Sequence, residues 1–167
     1  YLIENGHDFD LRMPEAASGE GHLACLRYLH SVGCPWDEST CTAAAKSGQF
    51  ECLKFAHENG CHWTLPYMAH YASVSGSLPC LKYVIENGSP AQNALHNKLV
   101  KIDAVDCVKY LRNRGVLFPL GFGNYAVSMN ALKCVKFALE LGSTFTDQVL
   151  ISVQSVECMQ LLHDTGY

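Results

Sequence analysis

Apolar residues recur along this chain with a helical period set inside a longer repeat. Around Cys52 they stand two residues before it and one, three and four after it, as Phe50, Leu53, Phe55 and Ala56. At 100° per residue these positions cover most of a helix circumference. The positions one before, two after and six after the cysteine hold most of the charge, inside a wedge about 60° wide at that pitch. The pattern predicts a helix buried on several sides that exposes one narrow stripe. It returns at Cys25, Cys80, Cys107, Cys134 and Cys158, and eight residues after each cysteine stands a glycine: Gly33, Gly60, Gly88, Gly115, Gly142 and Gly166. With Gly6 ahead of them, successive glycines lie 27, 27, 28, 27, 27 and 24 residues apart. A left-handed glycine cap is the simplest end for each such helix.

A shorter, alanine-rich helix precedes each long one, visible in Ser39 to Ser47 and around Tyr67 to Val74. Asp37, Thr64 and Thr146 stand four residues after a glycine, where a side-chain oxygen can cap the first turn. The two helices of a unit join near Gly21, Gly48 and Gly76, and in later units at Asp103, Asn130 and Gln154. Asn and Asp are the residues besides glycine that best tolerate left-handed dihedrals, so a turn is predicted at each joint. Periods of this length indicate a stack in which each unit buries its apolar face against its neighbours. The chain therefore divides as a single array: a tail over 1–6, then repeats over 7–33, 34–60, 61–88, 89–115, 116–142 and 143–166.

The run Ala44-Ala45-Lys46-Ser47-Gly48-Gln49-Phe50-Glu51-Cys52-Leu53 resembles the ankyrin repeat: two small residues, two variable ones, a glycine, and the start of the second helix. Gly21-His22-Leu23 matches the ankyrin Gly-His-Leu, and Gly33-Cys34-Pro35-Trp36-Asp37 takes the place of Gly-Ala-Asp-Val-Asn. His70, two residues before Ala72-Ser73, stands where Thr-Pro-Leu-His puts its histidine, although no repeat holds that motif complete. The resemblance covers the whole chain and implies an all-α, ankyrin-like helix-turn-helix solenoid.

Ankyrin repeats are about 33 residues long and these are mostly 27. The deletion falls in the connection that forms the projecting hairpin, so shortened inter-repeat loops and no β-hairpins are expected. The Cys-Pro-Trp-Asp form resembles ankyrin variants of large DNA viruses and protists. Pro14 would remove a hydrogen bond inside a helix, so the first helix should begin late. Neither end shows the polar cap a solenoid needs, and a longer array is expected.

Composition then narrows the chemistry. The chain is 49% hydrophobic and 17% charged, as in a soluble globular protein. No run approaches the roughly 18 apolar residues of a membrane span, and the start lacks a secretory signal pattern. The net charge of -4, with no Lys/Arg cluster, argues against nucleic acid. Stacked cysteines would lie roughly 8–10 Å apart, too far for disulfides, so they read as small core hydrophobes in a reducing, cytoplasmic or nuclear setting. Two pairings compete with this. His30 with Cys34, and His57 with Cys61 and His62, could ligate a metal, yet the next unit has Ile85 and Ser89 there, and zinc needs four ligands. Arg27, Lys54, Lys82, Lys109 and Lys136 form a basic ladder, but Glu58, Glu86 and Glu140 four residues on should pair with it.

No catalytic motif stands out, and no cofactor or enzyme activity is expected. Gly121-Phe122-Gly123-Asn124 reads as an irregular loop rather than a dinucleotide fingerprint. Phe9, Trp36, Trp63, Phe118 and Phe145, three residues after a glycine, read as packing in the place of the ankyrin valine. With the hairpins gone, the resemblance places recognition in a concave groove built from the variable pairs Gly19, Glu20, Lys46, Ser47, Val74, Ser75, Lys101, Ile102, Ser128 and Met129. The expected function is a monomeric protein-binding scaffold, such as the recognition part of a larger ubiquitin-ligase adaptor. The alternative is a metal- or nucleic-acid-binding module.

Overall fold

A computed structural model of the chain describes residues 10–92 and 95–167. The tail over 1–6, with its glycine, and Phe9 lie outside the described residues. Every described element is a helix: α1 (Arg12–Gly19), α2 (Leu23–Ser31), α3 (Glu38–Ser47), α4 (Phe50–Glu58), α5 (Leu65–Ser75), α6 (Leu78–Glu86), α7 (Leu95–Lys101), α8 (Val105–Asn113), α9 (Phe122–Ser128), α10 (Leu132–Glu140), α11 (Asp147–Ile151) and α12 (Val156–Asp164). They form two compact units, Tyr1–Pro90 and Ala91–Tyr167. Among the described residues no helix is long and apolar enough to cross a membrane.

In the first unit, α1, α3 and α5 pack side by side in one row, and α2, α4 and α6 make a second row behind them. The core lies between the rows. From α3 it takes Cys41, Ala44 and Ala45, and from α4 it takes Cys52, Leu53 and Ala56, all fully or nearly fully buried. The small side chains of the first helices let neighbours approach closely, and an added Cβ at Gly19 would already sit 3.5 Å from Ala43 Cβ. Larger residues hold the same layer in the second unit, where Leu95, Leu99 and Val100 of α7 are buried. First helices there are shorter, with seven residues in α9 and five in α11 against ten in α3 and eleven in α5.

Each described cap glycine after a second helix is left-handed, from Gly33 (φ 75°) to Gly166 (φ 93°). The joints within pairs are left-handed as well at Gly21, Gly48, Gly76, Asp103 (φ 53°) and Asn130 (φ 55°). Gln154 departs from this pattern: α11 ends early at Ser152, and no left-handed residue is needed. Asp103 does more than tolerate the turn. Its carboxylate accepts the backbone N–H groups of Lys133 (3.0 Å) and Cys134 (2.9 Å) in the next repeat. These are first-turn donors of α10, whose own N-cap Ala131 offers no side-chain acceptor.

The caps at first helices are more varied than expected. Asp37 accepts from Ser39 N at 2.8 Å as predicted. Thr64 and Thr146 make no side-chain cap bond: the Thr64 hydroxyl turns to Glu38, and at Thr146 the backbone N–H donates to Asn124 Oδ1 of the preceding repeat. Helix α1 starts at Arg12, one register position later than Glu38, so Pro14 falls in the first turn, where its missing N–H costs nothing. The Gly121-Phe122-Gly123-Asn124 run is not a loop. Gly121 (φ 81°) is the N-cap of α9, Phe122 and Gly123 are buried, and a Cβ on Gly123 would meet the Phe145 ring at 3.0 Å.

Candidate partner-binding groove

Helix α3 buries Thr40, Cys41, Ala44 and Ala45. The residues one position round, at i, i+4 and i+8, turn the other way and run as Glu38, Thr42 and Lys46 along its open face. Helix α5 does the same on its side, burying Met68, Ala69, Ala72 and Ser73 while Tyr67 and Tyr71 stand one turn apart toward α3. Glu15 of α1 closes the opposite wall. Together these residues border a groove of about 610 Å³ in the first unit, with the small Ala43 in its lining. Tyr67 is 58% exposed and Tyr71 is half-buried. Lys46 lays its ammonium over the Tyr71 ring, 4.6 Å from the centroid. At the other end of α3 the Thr64 hydroxyl donates to the Glu38 carboxylate.

Of the predicted groove residues, Lys46 and Ser47 line this space. Gly19 ends α1 against Ala43, and Glu20 borders a separate apolar hollow with Met13, His22 and Tyr28. Val74 is exposed, whereas Ser75 turns inward and donates to Ala45 O (3.2 Å) and Ala72 O (3.0 Å). In the second unit Lys101 and Ile102 are exposed at the end of α7, and Ser128 and Met129 at the end of α9, with Ser128 Oγ on Tyr125 O. A hollow of about 690 Å³ there is bordered by Leu150, Val153, Val156, Met159 and Tyr167, none of them predicted. Sequence reading missed Glu15, Glu38, Thr42, Tyr67 and Tyr71. Stepping back four and eight residues from Lys46 reaches Thr42 and Glu38, so helical periodicity carried part of that signal.

Several of the residues proposed for metal or nucleic acid are engaged otherwise. His30 stacks on Trp36 with ring centroids 4.3 Å apart, and Phe55 of the next repeat meets both edge-on. His57 stacks on Trp63 at 3.7 Å, Tyr83 meets both edge-on, and the Tyr83 hydroxyl lies 3.0 Å from His57 Nδ1. Burial lowers the His57 pKa, with Glu58 raising it and His62 lowering it to lesser degrees. Cys61 Sγ donates to Asp37 O of the preceding repeat at 3.0 Å, a place taken one repeat later by Ser89 Oγ on Leu65 O at 2.6 Å. No three His, Cys, Asp or Glu among the described residues come together as a metal cluster.

The basic ladder is likewise tied up in places. Arg27 lies over the Phe55 ring, Lys54 pairs with Glu58 at 3.9 Å, and Lys109 pairs with Glu140 of the next repeat rather than Lys136 doing so. All nine cysteines are free thiols. Eight are buried, and Cys25 is exposed where the sequence predicts core. The neighbouring Cys61 thiol and burial push the Cys41 thiol far up, and burial together with the Asp103 carboxylate pushes Cys134 to about 12. Such thiols are poor nucleophiles.

Helix pairs with glycine caps, small residues between the first helices and no strand among the described residues are what a stacked helical repeat shows. Compared with solved structures, the chain superposes on the ankyrin repeat domain of human ASB11 with a TM-score of 0.71 and 25% sequence identity, over 92% of this chain and 83% of that one. The fold is that of an ankyrin repeat array. No protein-family model matches the sequence, and no curated protein matches it. Ankyrin repeats generally serve as protein–protein interaction scaffolds and are typically non-enzymatic. In this ankyrin-type array the loops between α2 and α3 and between α4 and α5 are short, six residues each, and among the described residues no hairpin stands between solvent and the first helices.

Proposed function

We propose that the chain holds another protein against the open face of its first helices rather than catalysing a reaction. The observation that carries this reading is the groove beside α1, α3 and α5, with an exposed tyrosine on one wall and carboxylates on the other. Tyrosine supplies large contact area at little entropic cost and is enriched where interfaces hold their binding energy. The variable pairs extend the same role along the first helices: Gly19, Glu20, Lys46, Ser47, Val74 and Ser75 in the first unit, and Lys101, Ile102, Ser128 and Met129 in the second. The eight buried free thiols fit a reducing, cytoplasmic or nuclear compartment, and the chain then serves as the recognition part of a larger adaptor.

The test places a photo-crosslinking amino acid at Tyr67 or Lys46, and for comparison at Lys136 on the outer stripe. A discrete adduct from the first two positions and none from the third is expected. Adducts from Lys136 alone, or a partner that stays bound to Lys46, Lys101 and Met129 variants alike, would falsify the groove assignment.

A further inference from the structure

The groove already shows how it treats a cation. Lys46 rests on Tyr71, 4.6 Å from the ring centroid, so one aromatic face of α5 is occupied from within. Tyr67 stands one turn earlier on the same helix and is more exposed, and among the described residues no ring or cation lies over it. The carboxylates of Glu38 and Glu15 border the same space, and no described Lys or Arg pairs with either. Thr64 holds one oxygen of Glu38 by a hydrogen bond, which fixes the carboxylate and leaves the other oxygen to a ligand. Ala43 between them takes up little room, and Gly19 lets α1 lie close without a side chain of its own.

An aromatic face, two carboxylates and space for a flat group describe a receptor for one kind of side chain. A guanidinium stacks on an aromatic ring through its face and forks two hydrogen bonds to a carboxylate through its edge. A lysine ammonium is a hydrated point charge that gains less from either. We propose that the groove selects a partner segment that carries an arginine, its guanidinium lying on Tyr67 and its N–H groups turned to Glu38 and Glu15. Lys46, held at the far end of α3, then repels a second basic residue there and gives the segment a direction. This proposal rests on the groove being the binding face.

The test selects peptides from a random twelve-residue display library against the whole chain and measures the affinity of the enriched sequences by fluorescence anisotropy. Enriched peptides are expected to share an arginine. Replacing it by citrulline, which keeps the shape and loses the charge, should weaken binding at least about tenfold, replacing it by lysine about threefold, and Glu38→Gln or Tyr67→Ala in the protein about fivefold each. Circular dichroism checks that these exposed substitutions leave the fold intact. Peptides that need Tyr67 but tolerate citrulline and Glu38→Gln would overturn the arginine proposal and leave the groove reading standing. Peptides indifferent to Tyr67→Ala, or a library that enriches nothing, would overturn both.

Discussion

Asp103→Ala removes two things at once, and the structure lets them be separated. The carboxylate accepts the Lys133 and Cys134 amides at 3.0 and 2.9 Å, so its loss leaves α10 without a first-turn acceptor. Loss of an N-terminal cap costs about 1–2 kcal/mol. The residue also stands at φ 53°, where an alanine is strained by about 1 kcal/mol. The expected cost of Asp103→Ala is therefore about 2–3 kcal/mol. Asp103→Gly relieves the strain and should cost about 1–2 kcal/mol, and Asp103→Asn, which keeps the tolerance for this turn but only one of the two acceptor oxygens, about 1 kcal/mol. Repeat arrays do not always unfold in one step, so urea unfolding should be read together with native-state hydrogen exchange at the Lys133 and Cys134 amides. Both amides should exchange faster in the glycine and alanine variants, and one of the two should stay near the wild-type rate in the asparagine variant. Equal destabilisation by alanine and glycine would refute the strain argument, and unchanged exchange in the glycine variant would refute the cap.

Three further outcomes follow from buried or packed groups. Thr40 is fully buried and its hydroxyl has no hydrogen-bond partner, so Thr40→Val, which keeps the shape, should stabilise the chain by about 1 kcal/mol in urea unfolding. A thiol reagent added to the native protein should titrate one cysteine per chain rapidly, lost in Cys25→Ser, and all nine after denaturation. Burial holds the folded His57 below the ordinary imidazole range, so the unfolded chain takes up the proton first as pH falls. Stability contributed by the neutral ring is present above about pH 6.5 and declines as pH drops from there through the folded value. His57→Phe, which preserves the stack on Trp63, should flatten that part of the stability-against-pH curve; an unchanged slope would show that the ring is not its source.

The repeat, its helix pairs and its glycine caps were legible because each is a local rule applied many times. A left-handed glycine eight residues after the cysteine of each second helix follows from where such a helix ends, and the described cap glycines obey it, Gly33 after the exposed Cys25 included. Asp103 and Asn130 could be placed in turns for the same reason. What sequence could not show is where a side chain goes when a neighbouring repeat offers an alternative. Thr64 has the right residue type for a cap, yet Glu38 of the preceding repeat draws its hydroxyl away. Glu140 was expected to meet Lys136 one turn before it, and meets Lys109 across the repeat boundary. His57 and Cys61 had metal-ligand chemistry in sequence, and three dimensions gave one an indole to stack on and the other a carbonyl to donate to. The groove was legible at Lys46 and Ser47. Its aromatic wall was not, because Tyr67 and Tyr71 occur in one repeat and periodicity is blind to what happens once.

The polar bonds between repeats have a consequence for how the chain acquires its structure. Cys61 to Asp37, Ser89 to Leu65, Ser75 to Ala45 and Asp103 to Cys134 join residues 24, 24, 30 and 31 apart in sequence. Each spans about one repeat, so closing it needs only the helix pair just made and the one beside it. Loop closure over such distances is cheap, and chains rich in near-neighbour contacts fold fast. During synthesis each new pair can dock on its predecessor as soon as it emerges, with Asp103 already in place to receive the first turn of α10.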